Sequence, residues 1–201
     1  YRAAITDSIA GKIPVSMEKQ LGEVVFQQVK ATSKIVTDPA LTAQLEAITK
    51  RLLPAVKDTR YEFQFHIVEN DVVNAFAMPG GHIVVHTGLL KKAKRPEEVA
   101  GVLAHEMQHV ALRHSLKGMI RSAGTSLLFS MLVGDLGTTL VGQAAENLAG
   151  LKFSRDAESE ADAEGFNLLV ARGIDPRGMV RFFATLAGES GATPPALLST
   201  H

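Results

Sequence analysis

Two histidines, His105 and His109, stand four residues apart with Glu106, Met107 and Gln108 between them. On an α-helix this spacing leaves the imidazoles roughly 40° apart in azimuth and one turn apart in height. Both rings can then reach one cation at about 2.0–2.1 Å. Glu106 turns to the adjacent face, where a carboxylate can approach a cation-bound water without binding the cation. This His-Glu-x-x-His order supplies two zinc ligands and the general base of a hydrolytic site. The plain alternative is two surface histidines on an ordinary helix. With seven histidines in 201 residues, that order is an uncommon accident.

A catalytic zinc takes three protein ligands and keeps one position for water. The stretch Ser154-Arg155-Asp156-Ala157-Glu158-Ser159-Glu160-Ala161-Asp162 offers the third ligand. Glu158 and Asp162 share one helix face. Glu158 can complete the set while Asp162 accepts a hydrogen bond from a ligand histidine and fixes its tautomer. Alone, such an acidic helix reads as a solvated face; downstream of the histidine pair it is where a third ligand is sought. Glu160 reads as a solvent residue. His82 and His86 are four apart on a strand, which separates them by about 13 Å and excludes a shared ion. His66 and His114 read as structural or exposed, with His114 facing away from the pair.

The elements that must position these residues follow from periodicity. A helix is expected over 16–34. Asp38-Pro39 is a helix start, with Leu41, Leu45, Ile48 and Leu52 at helical spacing up to Pro54. Phe63, Phe65 and Ile67 alternate with Gln64, His66 and Val68 as a strand. Asn74 to Ala77 is a short extended piece, Pro79-Gly80-Gly81 a tight turn, and His82 to His86 a second strand. Pro96-Glu97-Glu98 opens the helix that carries the histidines, with acids in its first turn. Helices are also expected over 154–171 and 176–186. The fold class is therefore α+β, mostly helical with one small, mainly antiparallel sheet.

Composition bounds the rest. Hydrophobic residues make up 46% of the chain, enough for a core, and Lys plus Arg equals Asp plus Glu at 21 each. That balance argues against nucleic acid as a partner. There is no cysteine, so any metal site must use histidine and carboxylate. From Ala123 to Ala145 only Asp135 is charged, a length that could span a bilayer. Asp135 and several glycines oppose insertion, at about 2.5–3.5 kcal/mol for the aspartate. Two helices broken around Gly134 to Gly137 are expected instead, touching a membrane only peripherally.

Three blocks in order, Asn74-Ala75-Phe76-Ala77 with Pro-Gly-Gly and its strand, His105 to His109, and Ser154-Arg155 through Glu158 to Asp162, resemble the HtpX and CAAX prenyl protease family of zinc metallopeptidases. They span about residues 60 to 170. The resemblance is closest to the soluble periplasmic branch, whose members often carry tetratricopeptide repeats after the protease domain. It implies a zincin-like domain over 1–201, with a catalytic core at about 60–190 and a tail or linker start at 191–201. It implies one Zn²⁺ held by His105, His109 and Glu158, with Glu106 as base, and a location in the bacterial periplasm or envelope.

The expected activity is endopeptidase cleavage of unfolded or misassembled envelope proteins, by a zinc-bound water and Glu106. The substrate is expected to add as a strand beside Asn74, Ala75, Phe76 and Ala77; as a plain turn residue, Asn74 would have no such role. His201, Arg155 and Tyr61 are candidates for oxyanion stabilisation. His201 could instead be a fourth ligand that blocks the water position, or a simple tail. A latent protease acting as a chaperone-like binding module is the alternative function.

Overall fold

A computed structural model of the chain describes residues 2–58, 60–124 and 147–190, with isolated positions 126, 130, 133, 134, 142 and 143. Helices α1 (Arg2–Lys12) and α2 (Val15–Thr32) meet at Pro14, which caps α2. Helix α1 has no counterpart in the periodicity, because its buried face carries the small or polar residues Thr6 and Ala10 while Ile5 is 49% exposed. Helix α3 (Pro39–Leu52) begins as expected, with the Asp38 carboxylate accepting from the Leu41 amide at 2.9 Å.

Strands β1 (Gln64–Val68), β2 (Ala75–Ala77) and β3 (His82–His86) form one sheet in the order β1-β3-β2. The expected mainly antiparallel sheet is corrected to a mixed one. Strand β2 pairs with β3 antiparallel, but β1 pairs with β3 parallel over five residues, from Gln64↔His82 to Val68↔His86. The reason is topological. The Pro79–Gly81 turn forces β2 and β3 into a hairpin, and β1 takes the other side of β3. The chain therefore passes the end of β3 before it reverses into β2. Asn70 and Asn74 in that crossing accept from the amides of Gly88 and His86.

Helices α4 (Thr87–Lys92), α5 (Pro96–Ala111), α6 (His114–Ala123), α7 (Arg155–Ala171) and α8 (Arg177–Ser190) complete the described elements. The sheet lies between two helical layers. Ile83 and Val85 face a core with Leu45, Leu103, Met107, Leu169 and Phe182. Val84 faces the opposite core with Leu21, Val25, Leu116 and Met119. Every residue of β3 is buried, and each such apolar side chain contributes about 1.5–3 kcal/mol.

The hairpin turn is held by close approach to α2. A Cβ built on Gly22 would lie 2.0 Å from the Pro79 carbonyl oxygen, so only glycine permits this contact. Gly80 adopts φ 84° in the same turn. No helix among the described residues is long and apolar enough to cross a membrane; most of 123–145 lies outside them.

Candidate metal centre

Helix α5 starts at Pro96, where the Glu98 side chain accepts from the Lys94 amide at 2.6 Å. Its apolar positions pack on the sheet and carry His105 and His109 inward, to 6% and 1% exposure. Their Nε2 atoms lie 2.9 Å apart. Glu158 on α7 reaches the same point, its Oε2 3.4 Å from His105 Nε2 and 3.9 Å from His109 Nε2. A tetrahedral ion with bonds of about 2.0–2.1 Å holds its ligand atoms about 3.4 Å apart. The three observed separations bracket that value. His105, His109 and Glu158 are the one group among the described residues that could hold a metal with three such side chains.

Asp162, 1% exposed, places Oδ1 2.9 Å from His105 Nδ1. With Nδ1 donating to this carboxylate, His105 keeps its Nε2 lone pair for a cation. Helices α5 and α7 must lie close for this. Gly165 permits it, since a Cβ there would sit 3.2 Å from the His105 backbone nitrogen. From α8, Phe183 packs its ring edge-on to His105 at 5.1 Å.

The electrostatics favour positive charge at this point. Burial disfavours the His105 cation, but hydrogen bonds to Asp162 and Glu158 outweigh it and push its pKa up to about 10. A site without metal thus holds a proton where a metal would bring charge. Burial and the His105 charge keep His109 neutral, far below the ordinary histidine range. Burial raises Glu106 to about 7, against the pull of His105 and a hydrogen bond from the Ala77 amide, and with help from the Glu158 charge.

Two expectations about side chains are corrected. His114 does not face away: it is 4% exposed, with Nδ1 2.9 Å from His109 Nδ1. Glu160 is not a pure solvent residue, because its Oε2 lies 3.3 Å from His114 Nε2. A continuous helix would carry position 114 about 140° around from position 109. Here Arg113 adopts φ 60°, ψ 26°, ending α5 and redirecting the chain. Helix periodicity could not show this. Phe153, also not anticipated, stacks on His109 at 4.1 Å and 19°.

Tyr61 is not available to an oxyanion. Its hydroxyl donates to buried Glu18 at 2.8 Å, and burial together with the Glu18 charge pushes its pKa up. Arg155 is exposed in the first turn of α7. His201 lies outside the described residues. His82 bonds to His66 at 3.0 Å, and His86 Nδ1 to the Val72 carbonyl at 3.1 Å, both apart from the centre.

Strand β2 is a sheet edge beside α5. The far edge, β1, is covered by Lys34–Val36, through Val36 N–H to Ile67 O and Glu69 N–H to Lys34 O. Asn74, Phe76 and Met78 face β3, so Ala75 and Ala77 face outward. The Ala77 amide donates to Glu106 and its carbonyl accepts from Ser115 Oγ at 2.9 Å. Asn74 donates its side-chain amide to the Ala149 carbonyl at 3.2 Å.

The sequence model of peptidase family M48 matches residues 39–201. The chain is 32% identical over 213 residues to a beta-barrel assembly-enhancing protease of Yersinia pestis, covering 98% of this chain and 43% of that protein. It is 30% identical over 210 residues to the protein of that name in Escherichia coli K12, covering 96% and 43%. A mitochondrial metalloendopeptidase of Arabidopsis thaliana is 35% identical over 162 residues, covering 81% and 31%. The chain thus spans less than half the length of these relatives. It belongs to peptidase family M48, and the enzyme class read from its sequence, a zinc metalloendopeptidase, is the class of that family.

Proposed function

We propose that this chain is the protease domain of an envelope metalloendopeptidase that cleaves unfolded or misassembled proteins. The observation that carries the reading is the convergence of His105, His109 and Glu158 on one point, with Glu106 held beside it by the edge strand. Zinc, when bound, supplies the Lewis acidity that acidifies the attacking water and polarises the scissile carbonyl. Glu106 takes a proton from that water and returns it to the departing amine nitrogen. Its burial keeps its pKa close to neutral, where both transfers are feasible. Asp162 holds His105 in the tautomer that leaves Nε2 free.

The substrate adds as a strand along β2. Ala77 is already engaged by Glu106 and Ser115, so Ala75 offers the backbone amide and carbonyl for pairing. The names of the bacterial relatives, which refer to β-barrel assembly, support unfolded envelope polypeptides as the substrate class and a periplasmic location.

A second reading has one observation in its favour. The Ala149 carbonyl holds Asn74, and Phe153 lies on His109, so the chain itself covers part of the surface at β2 and the metal centre. This suits a latent domain that binds unfolded protein without cutting it. Cleavage of unfolded casein tests the two readings. Turnover that requires zinc and disappears in Glu106→Gln supports the enzyme. Casein binding without turnover at full zinc loading supports the latent module.

A further inference from the structure

His109 and His105 differ in what stands behind them. His105 has a carboxylate at Nδ1, whereas His109 has a second imidazole, His114, at 2.9 Å. Two Nδ1 atoms at that distance need one proton between them. If His114 donated it, neutral His109 would carry its proton on Nε2 and could not bind a cation. A cation at Nε2 therefore selects His109 Nδ1–H as the donor and His114 Nδ1 as the acceptor. The proton of His114 then lies on Nε2, where Glu160 Oε2 is 3.3 Å away. The three side chains form a directed relay, from His109 through His114 to Glu160.

The relay is aimed by a buried clamp. Arg113 is the one non-glycine residue with positive φ among the described residues. Its guanidinium holds that turn in place, with Nε donating to Glu18 Oε2 and its terminal nitrogens to the carbonyls of Ala10 and Ile13, each at 2.8 Å. Glu18 is 1% exposed and also accepts from Tyr61. Helices α1 and α2, which precede the residues matched by the family model, thus reach the metal centre through one turn.

We propose that His114 is a positioning residue of the metal centre, which sets the tautomer and ring orientation of His109, and that Glu160 and the Glu18–Arg113 pair keep it there. The inference rests on the metallopeptidase reading. Outer partners of ligand histidines typically change metal affinity by about 10–100-fold.

The test is zinc affinity of the purified domain by competition with a chromophoric chelator, read with the nitrogen spectrum of the imidazoles. His114→Ala is expected to weaken zinc at least tenfold. His114→Gln, whose carbonyl can accept from His109 and whose amide can donate to Glu160, is expected to recover part of that loss. In the zinc-loaded wild type, His109 is expected to carry its proton on Nδ1. Unchanged affinity in folded His114→Ala, or a His109 proton absent from Nδ1, overturns the proposal. Should His114→Ala fail to fold, Glu160→Ala decides, because that carboxylate is half exposed and alanine leaves His114 Nε2–H without its acceptor: a severalfold loss supports the relay and wild-type affinity overturns it. A wild type that binds no zinc would instead sink the metallopeptidase reading.

Discussion

Ala77 donates its backbone amide to the carboxylate of Glu106. The proposed general base is therefore tied to the edge strand, not only to its own helix. Ser115 accounts for the carbonyl of the same residue, so both outward polar groups of Ala77 are satisfied inside the molecule.

The first prediction concerns pH. Glu106 titrates at about 7 in the folded metal-free protein, above its ordinary 4.5. The folded state then binds more protons than the unfolded one between those values, and stability falls as pH rises through that window. His105, raised from 6.5 to about 10, extends the loss over the range above it. Glutamine at position 106 cannot ionise but can still accept from Ala77. Metal-free Glu106→Gln should be more stable than wild type at pH 8, by about 1–2 kcal/mol after allowing for partial exposure, with little difference at pH 4.5. Urea titrations of chelator-treated proteins measure it; equal midpoints at pH 8 would refute it.

Metal should stabilise the fold through the three convergent side chains. Zinc at a thousand times its dissociation constant stabilises by about 4 kcal/mol. Thermal unfolding of wild type should shift upward on adding zinc, while Glu158→Ala should shift far less. An equal shift in both would mean that zinc binds elsewhere.

Gly165 separates packing from folding. Alanine there gains about 1 kcal/mol of helix propensity. Its Cβ, however, presses on the Ala104–His105 backbone at 3.2–3.3 Å, and α7 must back away by a few tenths of an ångström. The two effects are similar in size, so Gly165→Ala should leave stability within about 1 kcal/mol of wild type. Zinc affinity should still fall severalfold, because Glu158 and Asp162 ride on α7. Chelator competition alongside urea unfolding reads both, and unchanged affinity would count against the argument.

Ala75 offers a test of strand addition. Its outward amide has no partner among the described residues, so proline removes a donor that the fold does not use; edge strands tolerate proline. Ala75→Pro should raise KM for an unfolded substrate about tenfold, the loss of one hydrogen bond that is not replaced. Zinc content and kcat should change little. An unaltered KM would place the substrate elsewhere.

How much of this was legible in the sequence depends on the range of the interaction. The pairing of His105 with His109, and of Glu158 with Asp162, follows from spacing on two regular helices, because a period of 3.6 residues puts positions four apart on one face; that the two faces meet at one point is a tertiary result. The Asp38 cap, the turn at Pro79–Gly81 and the short edge strand follow from equally local chemistry. The tertiary structure alone decided the parallel pairing of β1 with β3, since alternation marks a strand but not its neighbour. It alone turned His114 back to His109, because the left-handed Arg113 is held by Glu18, 95 residues away in the chain. It alone consumed Tyr61 in that buried contact. Local geometry thus offers candidates for the metal ligands and the base, whereas burial of distant side chains chooses what stands behind them.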